Sequence, residues 1–307
     1  MKKIINLMSG ILLPVLLGAQ VVSVDPAFPT QNDTVTITFD ATEGNGALSG
    51  FVPIYAHTGI ITAAGGPGSW QNVQGNWGTA DPNVVMTPLG NNKHSITYHI
   101  PTFYNVAAGT VVNELSFVFR NANGNTVGRA ADGSDIFYPI YPANAGLLAA
   151  FLSPSQTQIT TTGTSLNFSA ATSLDADIDI FDNGTLQSSV SNARSINASF
   201  PAGAAGLHTV ELVADDGTTT VRDTVYYVVN SPVQTQAVPA NTEYGITYTS
   251  PTSIRLKLHA PFKNYIYLIG DFNDWQPDPN YSLKRDPNGS DWWIDVNNLV
   301  AGERYAF

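Results

Sequence analysis

The chain has 307 residues, with 13 Lys and Arg against 24 Asp and Glu, a formal net charge of −11, and no cysteine. That balance opposes binding to nucleic acid and to anionic membrane, and the missing thiols exclude disulfides and a cysteine nucleophile. Charged residues are only 12% of the chain, a composition that suits an all-β extracellular protein whose partners are neutral, hydroxyl-rich polymers, or equally exported β-modules of another purpose.

The N-terminus reads Lys2-Lys3, then an apolar run from Ile4 to Leu17 broken by Asn6, Ser9, Gly10 and Pro14, then Gly18-Ala19. This is the order of a secretory signal peptide over 1–19, and the run is shorter than the roughly 20 residues a membrane-spanning helix needs. Cleavage after Ala19 removes Lys2 and Lys3, takes the net charge from −11 to −13, and leaves Gln20 first, so no lipid-anchor cysteine is expected. The expected location is secreted or at the cell surface.

Residues 20–145 show short alternating runs bounded by Gly, Pro, Asn and Asp. Thr34 to Phe39, Ser95 to Ile100 and Glu114 to Phe119 each predict a half-buried strand. Between them, Tyr55-Ala56-His57-Thr58-Gly59, Ser69-Trp70 and Asn76-Trp77-Gly78 lie in a glycine-rich stretch that predicts loops carrying aromatic side chains. Loops of that kind tend to carry binding function, which makes Tyr55, His57, Trp70 and Trp77 candidate carbohydrate contacts. Core packing and interdomain contact are the competing roles for both tryptophans.

Tyr138-Pro139-Ile140-Tyr141-Pro142 ends this pattern, and a second module is expected over 146–231. Asp177 to Asp182 runs into Asn183-Gly184, and Leu207 to Ala214 runs into Asp215-Asp216-Gly217. Asn-Gly and Asp-Gly supply the positive φ of tight hairpins, so this third reads as an immunoglobulin-like spacer closed by Thr224 to Val229. Asn230-Ser231-Pro232 through Val238-Pro239 is expected to be an extended, exposed connection. The fold class expected is all-β, as serial immunoglobulin-like sandwiches.

The last module, 232–307, carries the most specific pattern. Ser253 to Pro261 ends in Ala-Pro, and Tyr265 to Ile269 runs into Gly270-Asp271-Phe272-Asn273-Asp274-Trp275. Trp292 to Val296 and Leu299 to Phe307, with Gly302-Glu303-Arg304-Tyr305, follow as two further strands. This order resembles the start of a family 48 carbohydrate-binding module, the sandwich placed ahead of the catalytic barrel in starch- and glycogen-acting members of the alpha-amylase superfamily (glycoside hydrolase family 13). The segment from Val21 to Tyr141 also looks like a module that recurs in large secreted bacterial amylases. The resemblance implies an α-glucan partner and a downstream barrel in the same polypeptide. It also implies that the last sandwich is incomplete at Phe307, and that hydrolysis by a retaining two-carboxylate route is carried beyond it. Strand alternation predicts Trp292, Ile294 and Val296 inward and Trp293 and Asp295 outward, so Trp293 beside Trp275 is a candidate sugar platform or barrel interface. Trp275 is weighted toward a structural role, and Phe272 is expected in the core. The alternative class is a non-catalytic surface glycan-binding or adhesion protein.

No catalytic residue is assigned. His57, His94, His99, His208 and His259 show no metal-ligand spacing, and there is no Gly-x-Ser-x-Gly elbow. Asp132/Asp135 and Asp175/Asp177/Asp179 are the nearest approach to the paired carboxylates of glycoside hydrolysis, and both read as solvated surface. Asp-x-x-x-Asn-His and Gly-x-Arg-x-Asp, the superfamily's catalytic signatures, are absent. No cofactor is expected; an acidic loop such as Asp132 to Asp135 offers oxygen ligands to calcium, but no motif supports it.

Overall fold

A computed structural model describes residues 21–154 and 156–307; the expected signal peptide lies outside them. Almost every regular element is a β-strand, and the strands form four sheets, as the alternating runs predict. Chain contacts divide the molecule into two compact units. One holds 36–138 with the described residues up to Ser23, and the other holds 24–35 with 139–307. Among the described residues, no helix is long and apolar enough to cross a membrane.

The first nine strands are β1 (Val22–Asp25), β2 (Thr34–Asp40), β3 (Tyr55–Thr62), β4 (Gln71–Gln74), β5 (Thr87–Gly90), β6 (Lys93–His99), β7 (Val112–Arg120), β8 (Val127–Gly128) and β9 (Ile136–Pro139). One sheet runs β1-β2-β6-β5 and the other β4-β3-β7-β8, with β9 also on β7. Alternation in β2 sends Ile37 and Phe39 inward and alternation in β7 does the same for Leu115, Phe117 and Phe119, all at most 1% exposed. Phe39 and Phe119 stack across the two sheets with ring centroids 4.0 Å apart. Each such burial is worth roughly 1.5–3 kcal/mol. His94 and His99, at opposite ends of β6, are buried and exposed respectively.

The middle third contains β10 (Ala149–Ser153), β11 (Gln158–Thr160), β12 (Ser165–Asp182), β13 (Thr185–Pro201), β14 (Gly206–Asp215) and β15 (Thr220–Val229). The early part of β12 pairs with β10 and the late part with β14. Against β13 its register shifts between Ala171 and Ala176, again between Ala176 and Ile178, and once more between Ile180 and Phe181. Phe168, Ile178, Ile180, Val210, Leu212 and Tyr227 form one core. Asn183 and Gly184 both adopt positive φ, 46° and 78°, the geometry expected of that hairpin turn. The second hairpin closes over Asp216, whose carboxylate accepts the backbone N–H groups of Thr218 and Thr219.

The last third contains β16 (Gly245–Ser250), β17 (Ser253–His259), β18 (Lys284–Arg285) and β19 (Asp291–Val296), in the order β16-β17-β19-β18. Ile254, Leu268, Leu283, Trp292, Ile294 and Val296 form its core, with Phe272 partly buried against it. Two expected strands differ. Tyr265 to Ile269 makes only an isolated bridge, Tyr267 with Ser282, through Leu268 N to Tyr281 O and Leu283 N to Ile266 O, both at 2.9 Å; just beyond it Asn273 turns the chain by accepting from Gly270 N and donating to Leu268 O. Leu299 to Phe307 forms no regular strand, although Asp271 N donates to Ala306 O at 3.1 Å. The connection before this module is mostly exposed, as expected, and is also hydrogen-bonded to the module. Gln236 N donates to Arg285 O and Arg285 N to Gln234 O, both at 2.9 Å, so the segment runs alongside β18.

Candidate functional site

The outer face of the β4-β3-β7-β8 sheet carries an aromatic layer. Register pairs Tyr55 with Arg120, His57 with Val118, and Gly59 with Ser116, and period-2 alternation puts all six on one face. The opposite face carries Thr58 and Phe117, inside the sandwich. There Thr58 donates to Ser116 O at 2.7 Å, so its hydroxyl accepts from Tyr104, 2.6 Å away, and Tyr104 in turn accepts from Tyr98 at 2.9 Å. Burial raises the pKa of both tyrosines, so the relay stays protonated and rigidifies the sheet beneath the layer.

The glycine-rich stretch from Ala63 to Asp81 folds over this outer face. Trp70 lies across Gly59, where an added Cβ would stand 3.3 Å from the indole and 3.0 Å from Gln71 O. His57 is held by Nδ1, which donates to Gly75 O at 2.7 Å. Its ring stacks on Trp70 at 5.7 Å and meets Trp77 edge-on at 5.1 Å. Trp77 is 48% exposed.

Arg120 supports the group from below. It is fully buried, and its guanidinium lies 5.3 Å from the Tyr55 ring and 5.9 Å from Trp77. Its nitrogens donate to Asn76 O at 2.6 Å, Asn121 O at 3.1 Å and Ala122 O at 3.2 Å, binding the Trp77 loop to the turn after β7. Burial lowers its pKa, opposed by the charge of Asp81. Asp81 is held below the usual carboxylate range by the backbone N–H groups of Asn83 and then Asn76. Gly124 completes the fit, since a Cβ there would fall 2.9 Å from Trp77 Nε1.

The structure therefore brings Tyr55, His57, Trp70 and Trp77 into one cluster and places Trp275 and Trp293 in the other compact unit. Within the cluster the roles separate. Tyr55 is 7% exposed and covered by Arg120, so it supports rather than presents a face; Trp77 holds the open ring. Trp275 is half-exposed and donates to Asp271 at 3.0 Å. The expectation that Trp293 faces outward is corrected: it is 1% exposed, donates to Gln236 O at 2.9 Å, and is covered by Arg255 and Lys284. Alternation holds, with Trp292 on the core side, but the connecting segment closes the second face. Asp295, partly exposed, is occupied by a two-point ion pair with Arg255.

Arg120 is the residue that sequence reasoning missed, although a lone cation closing the apolar run Leu115 to Phe119 was a visible signal. The acidic sets are engaged locally: Asp132 accepts from Ser134, Asp135 pairs with Arg129, Asp175 with Arg194, and Asp177 accepts from Asn192 N. Among the described residues, no three His, Asp or Glu side chains are placed to hold a metal ion.

A family described as "Domain of unknown function (DUF8578)" matches residues 22–127. The 1,4-alpha-glucan branching enzyme GlgB 2 of Clostridium perfringens is 32% identical over 62 residues, which is 20% of this chain and 9% of the enzyme. The chain thus matches less than a tenth of that relative's length. Among solved structures, the fibronectin(III)-like modules of Clostridium thermocellum CbhA align over 68% of this chain and 93% of theirs, at 14% identity and a TM-score of 0.23. Titin domains A168-A170 align over 92% of this chain and 89% of theirs, at 11% identity and a TM-score of 0.23.

Proposed function

We propose that these modules are the front end of a secreted enzyme acting on α-glucan, and that they hold the polymer while a catalytic barrel downstream in the same polypeptide acts on it. The observation that carries this reading is the open, braced face of Trp77. An indole supported by a buried guanidinium and an edge-on imidazole is a flat apolar surface with little freedom to lose on binding. The C–H face of a glucose ring packs on such a surface while its hydroxyls bond at the edge. The 62-residue likeness to a 1,4-alpha-glucan branching enzyme supports the choice of glucan, and the net charge of −11 favours a neutral polymer. Secretion belongs to the same proposal.

The test is affinity electrophoresis of the chain through gels containing amylose or glycogen. Retardation is expected for the parent protein and should fall in Trp70→Ala/Trp77→Ala. Unchanged migration of that double variant removes the binding assignment from the first module.

A further inference from the structure

The geometry points to a second binding site, for a neutral oligosaccharide chain, in the groove between the β14–β15 hairpin and the last module. It shares no residue with the Trp77 cluster and goes beyond that reading. The groove has a volume of about 760 Å³, and its lining includes Leu207 and Tyr226 from the hairpin and Phe272, Asn280, Tyr281 and Asn297 from the last module. That volume lies in the range of ordinary ligand pockets.

The walls are fixed. Thr157 donates to Gln276 at 2.7 Å and Tyr267 to Asn230 at 2.6 Å, tying the spacer to the last module beside the groove. Phe272 and Tyr281 stack at 4.9 Å, and the Tyr281 hydroxyl donates to Phe272 O at 3.3 Å. Opposite them, Tyr226 and Leu207 are 39% and 41% exposed, so apolar surface remains open on the hairpin side.

The polar groups divide by whether the fold already uses them. Asn273 spends both ends of its carboxamide on Gly270 N and Leu268 O, and Asp295 is neutralised by Arg255. The carboxamides of Asn280 and Asn297, by contrast, make no hydrogen bond to described residues. A carboxamide offers a donor and an acceptor side by side, which matches a pair of adjacent sugar hydroxyls, while an aromatic ring takes the C–H face between them. Asp274, also in the lining and without an ion-pair partner among described residues, leaves the rim negative. An anionic chain is therefore repelled and a neutral one is not.

Isothermal titration of the full chain, in a Trp77→Ala background that disables the first-module platform, separates this site from the other. The probes are maltoheptaose, cellohexaose and an oligogalacturonate of similar length. Saturable binding of at least one neutral chain is expected, weakened at least tenfold by Tyr226→Ala and, separately, by the surface change Asn297→Ala. Oligogalacturonate should not bind. No neutral binding in this background, binding that neither variant weakens, or equal binding of the anionic probe overturns the inference. The first-module reading stands or falls separately, on gel retardation of the Trp70→Ala/Trp77→Ala variant.

Discussion

Replacing Arg120 by Met keeps most of the side-chain volume while removing the charge and every donor, so it isolates what the guanidinium does. Three carbonyls lose a charged partner, and hydrogen bonds to charged groups contribute roughly 1.5–3 kcal/mol each. The sum overstates the loss. Asn76 is exposed and Asn121 and Ala122 are partly so, so water replaces part of what is removed. Arg120 also has a buried Nε without a partner, a cost the variant relieves. The expected net loss is about 2–3 kcal/mol, within the range for breaking a buried polar network. Urea unfolding of the chain, followed by tryptophan fluorescence, measures it as a shift of the first-module transition. Acrylamide quenching should rise as Trp77 loses its support, and glucan retardation should fall although Arg120 is itself buried. A loss below about 0.5 kcal/mol, or unchanged quenching and retardation, would refute the view that this cation braces the platform.

Two further outcomes follow from the same contacts. Gly59→Val should push Trp70 off the β3 face, because the first added carbon already stands 3.3 Å from the indole and 3.0 Å from Gln71 O; a blue-shifted or unchanged emission maximum with full glucan retardation would contradict this. Asp291 has a pKa lowered from 3.8 to about 2, first by its bond with His259 and then, against a desolvation penalty, by Tyr244, Asn288 and Lys257. A depressed folded-state pKa contributes stability above the unfolded value and loses it as pH falls through the folded one. With His259 more than half exposed and screened, the contribution is about 1–2 kcal/mol, lost between about pH 4 and pH 2. Asp291→Asn should flatten that part of the pH dependence in urea melts, and an unchanged slope would exclude Asp291 as its source.

The hairpins of the middle third were legible because their turns need positive φ, which Asn183-Gly184 supplies in the chain itself. The first-module cluster was legible in part: tryptophans in glycine-rich loops have few ways to be wholly buried, but Tyr55 to Gly59, expected as loop, belongs to strand β3, so the face that Tyr55 and His57 share came only with the structure. What selected Trp77 over Tyr55 as the open ring was Arg120, more than forty positions further on. Only strand pairing brings it beneath them. The strand at Tyr265 to Ile269 has the right alternation but finds a neighbour only near Ser282, and pattern alone does not report the partner a ladder needs.

Trp293 shows the same limit from the other side. Alternation correctly separates it from Trp292, but outward means exposed only when nothing covers that face of the sheet. Here the segment around Gln236, rich in proline at its ends, pairs with β18 and accepts the Trp293 N–H, while Arg255 and Lys284 lie over its ring. Both tryptophans are therefore structural, although one faces each way. Trp77 also has a cation near its ring, and its loop is anchored to that cation through Asn76 O, yet the side chain is 48% exposed. A cation under an aromatic ring is thus no guide to function by itself. What distinguishes an open ring from a packed one is whether another segment closes over it, and in this chain that difference separates Trp77, 48% exposed, from Trp293, 1% exposed.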